Sequence, residues 1–170
     1  MLEITMGDLT DQQVEALVNA ANPTLLGGGG VDGAIHRAAG PQLRAACSLL
    51  GGCETGQVKS TPGFELWARY VIHAVGPIWQ GGQAFEDVLL ASCYRAALAE
   101  GVRLGVRTIA FPSISTGAYG YPLALAATVA LAAITDWLAT QPHSYTLVRL
   151  VCYDTATLAA YQAAEAALGH

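Results

Sequence analysis

An α/β sandwich with a mixed or largely parallel sheet is the fold class this sequence predicts, and three observations carry it. Short apolar, β-branched runs alternate with stretches of helical composition along all 170 residues. Glycine and proline punctuate the junctions, as at Gly7-Asp8, Gly51-Gly52, Gly76-Pro77 and Gly105. Apolar residues make up 53% of the chain, enough to build a core between a sheet and the helices covering it. No internal repeat, low-complexity tail or linker composition interrupts the pattern, so one domain over residues 1–170 is expected.

Taken in order, Leu2 to Met6 and Val14 to Val18 are apolar runs bounded by turn residues and read as buried strands. Asp8 sits at the end of the first, where spacing alone leaves it either a turn or cap aspartate or a ligand contact. Val31 to Ala39 has helical composition, and Pro41 opens a second helical stretch through Leu50, closed by Gly51-Gly52. Val58 to Thr61 is a strand ending near the Gly63 turn. Arg69 to Val75 is a β-branched central strand in which His73 reads as a core histidine with a hydrogen-bonded ring. Phe85 to Leu104 is a helix, with Val88, Leu89, Ser92, Cys93, Ala96 and Ala99 at helical spacing. Thr108 to Phe111 follows as a strand and Leu123 to Leu138 as a helix. Tyr145 to Cys152 is the last strand, and Thr155 caps a terminal helix from Ala156 to Leu168.

The chemistry concentrates between Val18 and Gly40, where two amides, four consecutive glycines, a carboxylate and an imidazole fall in a loop running into a helix. Gly27 to Gly30 allow close backbone approach to a ligand and the positive φ that a nest around an anion requires. Their flanks, Leu25, Leu26 and Val31, are apolar and argue for an anchored loop rather than a Gly/Ser linker. Asp32 lies in the first helical turn, where the dipole favours a carboxylate. His36 follows four residues later on the same face, with a packed ring and a site role both open. A second strand-to-helix loop, Ser113 to Tyr121, offers small residues and hydroxyls of the kind that cradle phosphate. Both loops, and Tyr153, lie beyond the carboxyl ends of strands, where α/β folds bind ligands.

Several function classes are excluded. The net charge is −5 with Lys59 and seven arginines as the cations, so no nucleic-acid backbone is expected as a partner. An anionic ligand would be held by backbone N–H groups, since cationic side chains are scarce near the glycine run. Met1-Leu2-Glu3-Ile4 lacks the basic n-region and long apolar core of a signal peptide, so none is expected, and no uninterrupted apolar stretch reaches the ~18 residues a membrane span needs. A cytoplasmic protein without membrane contact is therefore expected. Cys47, Cys53, Cys93 and Cys152 form no C-x-x-C pair and read as reduced core residues, so no metal or cofactor is expected. Gly28 to Gly33 formally satisfies G-x-G-x-x-G, with Glu54 about twenty residues on, but the glycines do not follow the strand directly. Nucleotide-binding P-loop and nucleophile-elbow motifs are both absent.

Five segments, in order and at matching spacing, closely resemble the macrodomain family. They are Gly7-Asp8-Leu9-Thr10, Val18-Asn19-Ala20-Ala21-Asn22, Gly27 to His36, Val71 to Trp79, and Ile114 to Pro122. The similarity is greatest to the family's MacroD-type branch. It implies a three-layer α/β/α sandwich with a mixed, largely parallel central sheet that binds ADP-ribose. It further implies a hydrolase that removes mono-ADP-ribose from acidic side chains and deacetylates O-acetyl-ADP-ribose, with ADP-ribosylated proteins as partners.

By position, the resemblance implies that Asp8 accepts from the adenine amino group beside the Leu9 backbone, and that Tyr153 stacks on the adenine. Gly28, Gly29, Gly30 and Val31, with Ser115, Thr116, Gly117, Ala118 and Tyr119, would wrap the diphosphate and distal ribose. Asn22 would hold the distal ribose, and Asp32 would position or activate the water, the two forming the catalytic pair. A carboxylate is a weak base for water, so the ligand's diphosphate would share the proton transfer. Leu9 stands where isoleucine is usual, a volume-conserving change, and the match loosens toward Tyr153. The alternative function is a reader that binds ADP-ribose without turnover. Asn22 and Asp32 favour catalysis, because a pure binding module needs the phosphate loops but not that carboxylate.

Overall fold

Short connections and long crossovers decide the strand directions. The computed structural model, which describes residues 1–169, contains strands β1 (Leu2–Met6), β2 (Ala16–Ala21), β3 (Val58–Pro62), β4 (Tyr70–Val75), β5 (Thr108–Phe111) and β6 (Leu147–Cys152). The helices are α1 (Gly30–Ala39), α2 (Pro41–Ser48), α3 (Glu86–Leu104), α4 (Leu123–Thr140) and α5 (Thr155–Ala167), with a single 3-10 turn over Leu9–Asp11. One six-stranded sheet has the order β1-β6-β5-β2-β4-β3. Only β3 and β4, joined without a helix, pair antiparallel; the other neighbours are parallel. The sheet is thus mixed and largely parallel, as expected, and β3 carries Pro62 at an edge where a missing N–H is tolerated.

Alternation along the strands divides the core in two. Ala16 and Val18 of β2 and Ile72 and Ala74 of β4 face α3, α4 and α5, packing with Leu90, Leu98, Ala130 and Ile134. Leu17, Ala21, Val71 and Val75 face the opposite way, onto Ile35 of α1 and Leu43 of α2. The result is a three-layer α/β/α sandwich. Helix α4 has a mean hydropathy of 1.7 and is long and apolar enough to cross a membrane. In this fold its Ala126, Ala130, Ile134 and Trp137 are buried in the α3–α4–α5 layer.

Several element bounds depart from the sequence reading: β2 and β6 start two residues later, at Ala16 and Leu147, and α4 runs two residues further, to Thr140. Strand β2 runs to Ala21 rather than stopping at Val18, because parallel pairing with β4 continues to Ala21–Val75. Helix α2 ends at Ser48, short of Leu50. The buried face of α3 is Glu86, Leu90, Cys93, Tyr94, Ala97, Leu98 and Gly101, while Val88 is exposed. The bulk of Tyr94 and Leu98 sets that face, rotated from the stripe that spacing suggested. Asp154, not Thr155, caps α5, its carboxylate accepting from Thr157 N at 2.8 Å.

Candidate functional site

Two loops leave the carboxyl ends of neighbouring strands and meet above the sheet. The first follows β2. Asn22 Oδ1 accepts from Thr24 N (3.0 Å) and Thr24 Oγ1 (2.6 Å), and its Nδ2 donates to the Gly27 carbonyl at 3.0 Å. Leu25, fully buried, takes a left-handed φ of 63° to enter the core. The glycine run is therefore pinned at its start by Asn22 and the buried Leu25, whereas Leu26, also expected as an apolar anchor, is exposed. Gly30 has φ of 59°, a conformation that a side chain would strain.

The second loop follows β5. Ser115 is held at φ 68°, a strained value for a non-glycine residue, by donation from Tyr121 N to its carbonyl at 2.9 Å. A side chain at Gly76 would collide with Ser115 and Ile114, so glycine is needed there for the two segments to touch. The Ser115 hydroxyl is buried without a partner, which leaves a donor free for a ligand.

Between the loops lies a cavity of about 290 Å³. Asn22, Gly28, Gly29, Gly30, Val31 and Asp32 line one side, and Ser115, Gly117, Ala118 and Tyr119 the other. Among the described residues no lysine or arginine lines it. Arg37 and Arg44, with His36, instead border a separate opening behind Gly27 and Gly28.

Among the described residues Asp32 is the one carboxylate lining the cavity, and its two oxygens have different surroundings. Oδ1 accepts from Asn19 Nδ2 at 2.9 Å and lies 3.3 Å from His36 Nε2. The His36 pair is within ion-pair reach yet outside hydrogen-bond alignment, which leaves Nε2 without a bonded partner. Oδ2 faces Gly28, 3.4 Å from where a Cβ on that glycine would stand. Burial, and secondarily the Asp32 charge, raise the Tyr119 phenol and push the Cys47 thiol up to about 11, so both remain neutral at neutral pH.

A family model described as "Macro domain" matches residues 18–130. The chain belongs to the macrodomain family. A Lactiplantibacillus plantarum macro domain-containing protein is 52% identical over 98% of this chain and 97% of its own length. A protein of Enterobacter cloacae named O-acetyl-ADP-ribose deacetylase is 48% identical, covering 95% of this chain and 91% of its own. Among solved structures, a mutant Oceanobacillus iheyensis macrodomain with ADPR superposes with a TM-score of 0.93 at 44% identity, over 98% of this chain and 92% of that one. A Trypanosoma brucei macrodomain in complex with ADP-ribose gives 0.88 at 40% identity, over 95% of this chain and 68% of that one.

Not every residue that the resemblance assigned to the macrodomain site lines the cavity. Thr116 does not line it, its hydroxyl donating to Ser113 Oγ, a lining residue, at 2.8 Å. The Leu9 side chain is buried in the α1–α2 layer. Asp8 caps the 3-10 turn, its Oδ1 accepting from Thr10 N and Thr10 Oγ1. Tyr153, 85% exposed, stands at the end of β6. Asp8 and Tyr153 thus end adjacent parallel strands, where Met6 pairs with Cys152.

Two residues of this macrodomain are given no role by the sequence reading, which places Asn19 in the loop as one of its two amides rather than in β2. Asn19 is fully buried inside β2 and bonded to Asp32. A polar side chain within an apolar strand was the available signal, since buried amides require partners. Glu86 is 1% exposed and gathers the backbone N–H groups of Gln80, Gly82 and Ala84. In sequence it reads as an ordinary first-turn acid.

Proposed function

We propose that this macrodomain binds ADP-ribose and hydrolyses its esters, releasing mono-ADP-ribose from acidic side chains and acetate from O-acetyl-ADP-ribose. The observation that carries the reading is the Asp32 carboxylate, with Oδ1 tied to Asn19 and Oδ2 turned to Gly28 at the cavity wall. The diphosphate lies against the backbone N–H groups of the two loops, which hold an anion without a cationic side chain. The Ser115 hydroxyl supplies a further donor. Asn22 and Gly28 bring the distal ribose beside Asp32.

Water held at Oδ2 adds to the ester carbonyl carbon. The bond from that carbon to the ribose oxygen then breaks, giving a free carboxylic acid and the ribose hydroxyl. Asp32 orients the water, and a diphosphate oxygen of the ligand shares the proton transfer, because one carboxylate is a weak base for water. Fixed N–H groups along the loops steady the charge that develops. Cytoplasmic ADP-ribosylated proteins are the partners this reading supplies.

The test compares wild type, Asp32→Ala and Asn22→Ala on a protein mono-ADP-ribosylated at glutamate or aspartate and on O-acetyl-ADP-ribose. Wild type should release ADP-ribose and acetate, and Asp32→Ala should lose turnover while keeping ADP-ribose binding. Binding by wild type with the label left in place would establish a reader instead.

A further inference from the structure

We propose that His73 is a positioning residue for Asp32, acting through the Asn19 side chain; this rests on the hydrolase reading above. Asn19 of β2 and His73 of β4 are direct partners in the parallel register and both are fully buried. Asn19 Nδ2 stands 2.9 Å from Asp32 Oδ1 and 3.1 Å from His73 Nδ1. An ionised carboxylate only accepts, so the amide nitrogen must be the end that faces Asp32. Its two hydrogens then go to Asp32 and to His73, and Nδ1 must be the bare nitrogen of the ring. The ring proton therefore sits on Nε2, which donates to Thr61 Oγ1 at 3.0 Å, with Cys47 Sγ 3.6 Å away.

The Asn19 carbonyl oxygen is the telling atom, because it is buried without a partner. A flip of the amide would set that oxygen against the Asp32 carboxylate and the bare Nδ1, so the orphan is retained to keep the nitrogen where it is. Two acceptors, one on each side, fix the rotation of the amide and with it the Asp32 oxygen it holds. Oδ2 is thereby aimed at Gly28. Burial, and after it the neighbouring His36, lower the His73 pKa to about 4, which keeps Nδ1 bare at neutral pH.

His73→Leu removes the acceptor, whereas His73→Asn returns an oxygen to the region Nδ1 occupies. With the full chain and O-acetyl-ADP-ribose, His73→Leu should lower kcat by about ten- to a hundredfold. KM and the ADP-ribose Kd should stay within about twofold. His73→Asn should recover most of the lost kcat, and 15N spectra of the wild-type ring should show the proton on Nε2. Thr61→Val, which removes the partner of that proton, serves if His73→Leu does not fold, and should also lower kcat. Wild-type kcat in a folded His73→Leu or Thr61→Val, equal losses in His73→Leu and His73→Asn, or a protonated Nδ1 overturns the proposal. A wild-type chain that releases no acetate defeats the hydrolase reading and with it His73's part in turnover. The ring spectrum separates the two failures, since a bare Nδ1 locates the error in the reaction and a protonated one in the relay.

Discussion

Gly33 and Gly28 approach closer than a side chain permits: a Cβ on Gly33 would lie 2.5 Å from the Gly28 carbonyl oxygen and 3.1 Å from Arg37 Nη1. Glycine inside a helix ordinarily costs about 1 kcal/mol relative to alanine, so Gly33→Ala in α1 would be a stabilising change elsewhere. Here the obstacle is backbone, which cannot swing aside, and overpacking costs about 1–3 kcal/mol. Gly33→Ala should lose about 1 kcal/mol net, a fall in Tm of about 2–4 °C for a chain of this size. ADP-ribose affinity should fall with it, because Gly28 lines the cavity. A thermal melt at or above wild type would mean that the glycine run yields freely.

Gly117 is the opposite case. A Cβ there meets nothing within 4 Å, and the residue lines the cavity. Gly117→Glu should therefore fold with an unchanged melt while placing bulk and negative charge where the diphosphate is proposed to lie. Calorimetry should detect no ADP-ribose binding. Retained affinity would show that the diphosphate does not pass this residue.

Glu86 organises a loop whose first residue touches the cavity wall. Its carboxylate collects Gln80 N (2.8 Å), Gly82 N (3.0 Å) and Ala84 N (2.7 Å), organising the loop ahead of α3. Trp79 at the start of that loop donates its backbone N–H to the Tyr119 carbonyl at 2.8 Å and sets its ring 4.7 Å from that of Tyr121. Burial works to raise the Glu86 pKa, and the backbone donors outweigh it, bringing the value from the usual 4.5 down to about 2. A depressed carboxylate contributes stability above its unfolded pKa and loses it as pH falls through the folded one. Glu86→Gln should thus melt below wild type at neutral pH, with the gap closing as pH falls from about 4.5 toward 2. A gap independent of pH would assign the loss to packing.

Much of this was legible in the sequence because it depends on local pattern. Apolar runs bounded by glycine marked the strands, and the glycine run beyond β2 and the small residues beyond β5 marked the two cavity walls. What stayed hidden depends on register. Nothing local says that Asn19 falls opposite His73, that Thr61 reaches the same ring from β3, or that one Asp32 oxygen is committed while the other is open. The distance from Glu86 to the site is bridged by a loop whose hydrogen bonds exist only once it is folded. Asp8 shows the converse: its role as a cap was readable from spacing, and its Oδ1 makes that cap with Thr10.

Tyr153 separates the resemblance from the cavity most sharply. It is 85% exposed and lies beyond the cavity lining, so its removal should leave the fold intact. Met6 and Cys152 are register partners on β1 and β6, which brings Asp8 and Tyr153 to the same end of two adjacent strands. An adenine seated there would use Asp8 at its amino group and the Tyr153 ring on its face. Stacking of an aromatic on a base contributes about 1–3 kcal/mol, so Tyr153→Ala should weaken ADP-ribose binding about 5- to 150-fold, with Tyr153→Phe close to wild type. The control is a ligand without adenine, such as ribose 5-phosphate, whose affinity should not respond to Tyr153→Ala. Equal weakening of both ligands would move Tyr153 from adenine contact to support of the loop, and no weakening of either would place the adenine elsewhere.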